Sequence, residues 1–268
     1  MLLAACVSVP TPAARLASAD ALAASRGWQA RAVDTGMFRL ITWAPTSFAA
    51  DDALAIYIEG DGLAWIASDL PSADPTPVVP LALQLALAQP AGNAAYVARP
   101  CQYVDAAQTG CASRWWTAQR FAPDIIEAVD RAVAALKVQA GARRLTLVGY
   151  SGGGAVAALV AARRSDVERL VTVAGNLDHG AWTRHHRLPP LDGSLDAADV
   201  RDALRRVRQW HFAGGRDTVV PAFIAEGFAA GFPVDTRPVV RRVADNDHRC
   251  CWAEQWPRLW SEVHGTKE

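Results

Sequence analysis

The sequence predicts an α/β fold, a mostly parallel central sheet flanked by helices. Three observations point there. From about residue 37 onward, short apolar or β-branched runs alternate with stretches whose apolar residues recur at helical spacing. Arg143 to Arg163, RRLTLVGYSGGGAVAALVAAR, passes from a strand-like run through a glycine turn into an alanine-rich stretch without a break. The chain has 268 residues, 51% of them hydrophobic and 20% charged, which suits one large domain with a sizeable core.

Taken in order, MFRLITWAP (Met37–Pro45) reads as an early strand, and ALAIYIEGDG (Ala53–Gly62) as a short apolar strand halted by glycines. A helix follows Pro80, then the strand NAAYVARP. FAPDIIEAVDRAVAALKVQA carries apolar residues at helical spacing, and RRLTLVGY returns to the sheet. The Ala155–Ala162 helix precedes the strand VERLVTVAG. RQWHFAGG and PVVRRVA are the last two strands, with a helix near Pro221–Ala230 between them. WAEQWPRLWSEVH closes the chain as a helix whose regularity Pro257 is expected to break.

Asn176 to Arg206 is longer than one crossover helix requires and rich in Pro, Gly and polar residues. It is expected to form a cap-like insertion before the RQWHFAGG strand, over the carboxyl ends of the strands, where open α/β sheets bind ligands. The N-terminus reads differently. Leu3-Ala4-Ala5-Cys6 resembles the lipobox of bacterial lipoproteins, in which the cysteine is lipidated. A charged n-region and a full apolar h-region are missing, and a start upstream of Met1 would supply them. Val7 to Ala24, rich in Ala, Pro and Ser, reads as a flexible tether, so residues 25–268 are expected to make up the folded domain.

The formal net charge is +0 and no basic stripe is interleaved with aromatics, so no nucleic-acid partner is expected. Four cysteines follow the tether. Cys101 and Cys111 bracket a short loop that one disulfide would close, the expected bond in an oxidising compartment. Cys250 and Cys251 are adjacent, and their pairing stays open. Histidines are too dispersed for a zinc cage, and neither metal nor cofactor is expected.

Ser151 carries the chemistry. Gly-Tyr-Ser-Gly-Gly lies between a strand and a helix, the context in which Gly-x-Ser-x-Gly holds a strained serine with its hydroxyl at the top of a sheet. Gly149 and Gly153 provide the closeness such a turn needs. On these residues the chain resembles the α/β-hydrolase family of serine esterases and lipases, from about Met37 to the C-terminus. The resemblance implies a nucleophile, then an acid, then a histidine, in that chain order. GGRDTVVP places Asp217 in a glycine turn after a strand, and VADNDHRCCW places His248 on a loop after the last strand. These are the expected acid and base. Asp245 and Asp247 are the alternative acids, while His211 alternates within a strand and is expected in the core.

The resemblance further implies two backbone donors for an oxyanion. The first is the N–H of Gly152. The second comes from Glu59-Gly60-Asp61-Gly62, where many relatives carry His-Gly; Asp61 is the expected donor and Gly62 the alternative. Glu59 and Asp61 also admit a metal-ligand reading. The implied activity is hydrolysis of a small-molecule carboxylic ester through an acyl-enzyme. Acyl transfer on the same triad, and a silent hydrolase fold that only binds, are the alternatives. Trp65, Trp115, Trp116 and Trp182 suggest an aromatic, apolar cleft and hence an apolar acyl group. GDGLAW, ARPCQY and NLDHGAWTRHH resemble a bacterial exported or lipoprotein-type subgroup, which implies the cell envelope and a lipid anchor at Cys6. The oligomeric state has no signature in the sequence.

Overall fold

A computed structural model describes residues 9–107 and 109–265. In chain order its elements begin with α1 (Pro12–Ala24), β1 (Trp28–Asp34), β2 (Arg39–Pro45), β3 (Ala53–Ile58) and a small hairpin, β4 (Trp65–Ala67) and β5 (Leu70–Pro71). Then come α2 (Leu81–Ala88), β6 (Asn93–Val97), α3 (Pro123–Ala140), β7 (Arg144–Tyr150), α4 (Gly152–Arg163) and β8 (Val167–Val173). The rest comprises α5 (His179–His186), α6 (Arg201–Leu204), β9 (Arg208–Gly214), α7 (Phe223–Ala230), β10 (Val239–Val243) and α8 (Trp252–Gly265).

The main sheet has eight strands in the order β1-β2-β6-β3-β7-β8-β9-β10. Both pairings of β2, to β1 and to β6, are antiparallel; every pairing from β6 to β10 is parallel. Side chains of central strands alternate between two cores, as a period of two requires. In β3, Leu54, Ile56 and Ile58 join the core under α3, α4 and α7, whereas Ala55 and Tyr57 face the core under α1, α2 and α8. Parallel register brings the carboxyl ends of β3, β6, β7, β8, β9 and β10 to one edge. Ile58 lies beside Val97 and Gly149, Tyr150 beside Val173, and Gly214 beside Val243. Every loop that matters below leaves from that edge.

Helix α4 has no polar face: Gly152 to Ala161 are all buried. Its alanines and glycines let it lie close against β7 and β8, which longer side chains would prevent. His211 sits in the core as expected, with Nδ1 2.9 Å from Thr172 Oγ1. Burial holds its imidazole down to about 3, so it is neutral.

Two expectations about the elements need correcting, and one strand was not anticipated. The tether is not one from Pro12 onward, because Pro12–Ala24 is helix α1, docked on the domain. Thr11 Oγ1 accepts from Ala14 N–H to start it, Ala19 and Ala23 are buried, and Asp20 accepts from Trp43 Nε1–H at 2.9 Å. Arg15 is buried in an ion pair with Asp74 at 3.2 Å. Composition suggested a linker, but alanine is also the best helix former, and these partners are distant in sequence. Cys6 lies outside the described residues. Pro257 does not break α8 either. Trp252, Trp256, Leu259, Trp260 and Val263 form one buried stripe, and Trp256 Nε1–H donates to Tyr57 Oη at 2.9 Å. Burying that stripe outweighs the roughly 3 kcal/mol an interior proline costs. Strand β1 is absent from the sequence reading because it is a mostly exposed edge strand without an apolar run.

The 176–206 insertion folds as α5, a 3-10 turn at Ala197–Val200 and α6. Cys101 is bonded to Cys111 as expected, and Cys250 to Cys251. Among the described residues no helix is long and apolar enough to cross a membrane.

Candidate active site

Ser151 follows the last residue of β7 and caps α4, with φ 52 and ψ −124. A positive φ is unfavourable for serine and persists only where the surroundings enforce it. Here they do. Ser151 N–H donates to Val173 O at 3.0 Å, while Ser151 O accepts from Gly154 N–H at 2.9 Å and from Asn176 N–H at 3.0 Å. A Cβ on Gly149 would stand 2.2 Å from Gly153 O, and one on Gly153 would stand 2.4 Å from Glu59 O. Both glycines are therefore required by close backbone approach.

The loops after β9 and β10 bring the other two residues to Ser151. His248 Nε2 lies 3.0 Å from Ser151 Oγ, and His248 Nδ1 lies 2.8 Å from Asp217 Oδ2. The second oxygen of Asp217 accepts from Val219 and Val220 N–H, each at 2.8 Å, so its carboxylate cannot swing away. The Asp217 side chain is fully buried and that of His248 is 12% exposed. The alternative acids are engaged elsewhere. Asp245 pairs with Arg216 at 2.8 Å, and Asp247 accepts from Arg249 and Cys250 N–H at 2.7 Å each, bonds that hold its carboxyl below the usual range. Tyr150, the variable position of the serine motif, is a residue the sequence reading missed. It donates to His248 O at 3.1 Å and its ring lies 5.3 Å from the imidazole.

The loop after β3 lies beside the serine: a Cβ on Gly60 would be 3.2 Å from Ser151 Cβ. Its geometry is fixed by buried polar groups. Glu59 Oε1 accepts from Gly60 N–H at 2.9 Å, Glu59 Oε2 accepts from Tyr96 Oη–H at 3.1 Å, and Gly60 O accepts from Gln102 Nε2–H at 3.0 Å. The Cys101–Cys111 bond braces the segment that carries Gln102. Asp61 packs its carboxylate against Gly152 and pairs with Arg99 at 3.3 Å and Arg120 at 2.8 Å. Both carboxylates of the metal-ligand reading are thus committed to protein partners. Gly62 has φ +66, and a Cβ there would overlap Pro75 O. Gly60 N–H is already bonded, whereas among the described residues Asp61 and Gly152 N–H donate to no protein acceptor.

Burial pushes Glu59 up from 4.5 to about 7, and the bonds from Gly60 and Tyr96 pull it only part of the way back. The folded chain therefore keeps a proton that the unfolded chain releases above pH 4.5. This stability is complete below pH 4.5 and is lost as pH rises through 7. Glu59→Gln keeps an acceptor and the shape. Relative to wild type it should gain ~3 kcal/mol between pH 4.5 and 8 in urea unfolding. Parallel stability curves would contradict this.

The serine opens into a cleft of about 1190 Å³. Its walls are largely apolar, with Leu63, Val78, Val79, Leu188 and Val219 among them. Trp65 and Trp182 line it as expected, but Trp115 and Trp116 are buried in the core, where Trp116 Nε1–H donates to Ser72 O. The insertion forms one wall: Trp182 Nε1–H donates to Val219 O at 2.7 Å, tying α5 to the loop that carries Asp217.

A parallel-dominated eight-stranded sheet with a strand–serine–helix corner, and with an acid and a histidine on later loops of the same edge, is the α/β-hydrolase fold. Solved structures share it. Est1E from Butyrivibrio proteoclasticus superposes with a TM-score of 0.58 at 13% identity, over 88% of this chain and 99% of that one. A Pyrococcus furiosus esterase gives 0.55 at 13% identity, over 89% of this chain and 88% of that one. The esterase domain of a Rhodothermus marinus protein gives 0.56 at 14% identity, over 89% and 96%. At such identities the likeness is one of fold. No protein-family model and no curated protein matches the sequence.

Proposed function

We propose that this chain is a serine hydrolase of carboxylic esters, with Ser151 as nucleophile, His248 as general base and Asp217 as the acid that orients it. The observation that carries this reading is the unbroken chain from Ser151 Oγ to His248 at 3.0 Å and on to Asp217 at 2.8 Å, ending on a serine held at positive φ.

His248 Nε2 takes the Ser151 Oγ proton as Oγ bonds to the ester carbonyl carbon. The carbonyl oxygen becomes an oxyanion, held by the N–H groups of Gly152 and Asp61, with Gly62 the alternative second donor; each donor is worth roughly 10²–10³ in rate. The tetrahedral adduct then breaks its bond to the alcohol oxygen, which leaves with the proton from His248. Water repeats the sequence on the acyl-enzyme and regenerates Ser151. The arginine pairs on Asp61 matter here because they fix the backbone that bears the second donor before substrate arrives.

The apolar walls favour an apolar acyl group. The Cys101–Cys111 bond favours an exported protein in an oxidising compartment, and a lipid anchor at Cys6 is part of the same proposal. The test is release of p-nitrophenol from p-nitrophenyl butyrate. The purified protein should release it well above the buffer rate, and Ser151→Ala should not. No release above background from a folded protein would count against the reading.

A further inference from the structure

Around the serine, the buried polar side chains that line the cleft have partners, with one exception among the described residues. Glu59 bonds Gly60 and Tyr96, and Arg120 pairs with Asp61. Asn176 does not follow the pattern. It is 3% exposed and lines the cleft, and its backbone N–H is spent on Ser151 O at 3.0 Å, which places the residue directly beside the nucleophile. Among the described residues its Oδ1 is buried without a hydrogen-bond partner, and none of them bonds its Nδ2. A buried amide left unpaired disfavours folding. A cleft that needed only apolar contact would be served better by leucine at this position.

We propose that Asn176 is a specificity-determining residue that selects esters bearing a hydroxyl group close to the scissile carbonyl. The inference rests on the ester-hydrolase reading of Ser151. A hydroxyl is the fitting partner because it both donates and accepts, so it pairs with the amide whichever way the amide is turned. A site built to bond a substrate hydroxyl rejects the analogue lacking it, because the buried partner is then stranded. The remaining apolar walls hold the rest of the molecule, so the substrate class is an apolar ester with one hydroxyl beside the reacting centre.

The test uses two matched pairs of esters, because the hydroxyl can stand on either side of the bond. One pair is p-nitrophenyl 3-hydroxybutyrate and p-nitrophenyl butyrate. The other is 2-hydroxyethyl butyrate and propyl butyrate. In at least one pair, wild type should prefer the hydroxy ester by ~30-fold or more in kcat/KM. In Asn176→Leu, close in volume but apolar, that ratio should fall to within about 3-fold of unity. Asn176→Ser, which keeps a smaller polar group, serves if the leucine variant does not fold, and should retain part of the preference. Equal use of both members of both pairs by wild type, or a preference that survives in Asn176→Leu, overturns the proposal. Each preparation is also labelled with a fluorophosphonate. A labelled wild type that shows no preference overturns this inference alone, and an unlabelled wild type overturns the hydrolase reading with it.

Discussion

Replacing Ser151 with alanine should lower kcat on an activated ester by about 10⁴–10⁶-fold, and His248→Ala should do nearly as much. The double variant should be scarcely worse than either single one. The reason is geometric. Ser151 Oγ and His248 Nε2 are 3.0 Å apart and in the proposed mechanism act on one proton, so removing either member should remove the step. Residual activity is then whatever the Gly152 and Asp61 N–H groups and the cleft provide. Asp217→Asn should cost about 10³–10⁴-fold, because an amide at 2.8 Å from His248 Nδ1 favours the wrong tautomer. Steady-state kinetics on the four variants checks this. Multiplicative losses in the double variant would mean that the two residues do not work as a unit.

The second large effect is on folding. Gly149→Ala should destabilise the protein by roughly 3 kcal/mol, at the upper end for overpacking, and Gly153→Ala comparably. The added Cβ would stand 2.2 Å from Gly153 O in the first case, and 2.4 Å from Ile58 O and Glu59 O in the second. These are backbone atoms, which cannot rotate aside as a side chain would. To make room, α4 must move off β7 in the first case and off the end of β3 in the second, which also disturbs the Ser151 corner, so activity should fall together with stability. Gly227→Ala is the control. It lies inside α7 with nothing within 4 Å of a new Cβ, and should stabilise by about 0.5–1 kcal/mol. Chemical denaturation of the three variants reads both signs. Equal effects at Gly149 and Gly227 would show that packing at the corner is not what these glycines serve.

Those glycines were legible in the sequence because their reason is local: a strand, a turn and a helix within about twenty residues. The same holds for β3, β7 and α4, whose apolar runs are long and unbroken. Asp217 and His248 were legible because each stands in a polar turn directly after a strand, and parallel register then gathers such turns at one edge. What was not legible depends on partners distant in the chain. Arg99 and Arg120 reach Asp61 across 38 and 59 residues, and nothing in the local sequence of any of the three announces the pair. Helix α1 looked like a linker because its partners, Trp43 and Asp74, come later in the chain. Asn176 gave no signal at all. An asparagine at the start of a polar insertion looks like an exposed turn residue, and only the fold shows it buried beside Ser151, its Oδ1 without a partner among the described residues.

The central claim is that Ser151 is activated. The most direct test is reaction with a fluorophosphonate, read by intact mass. Ser151 Oγ attacks phosphorus and displaces fluoride, leaving one phosphonyl group on the chain. One adduct should form on wild type, none on Ser151→Ala, and far more slowly on His248→Ala. No adduct on a folded wild type, or an adduct that persists in Ser151→Ala, would contradict the account.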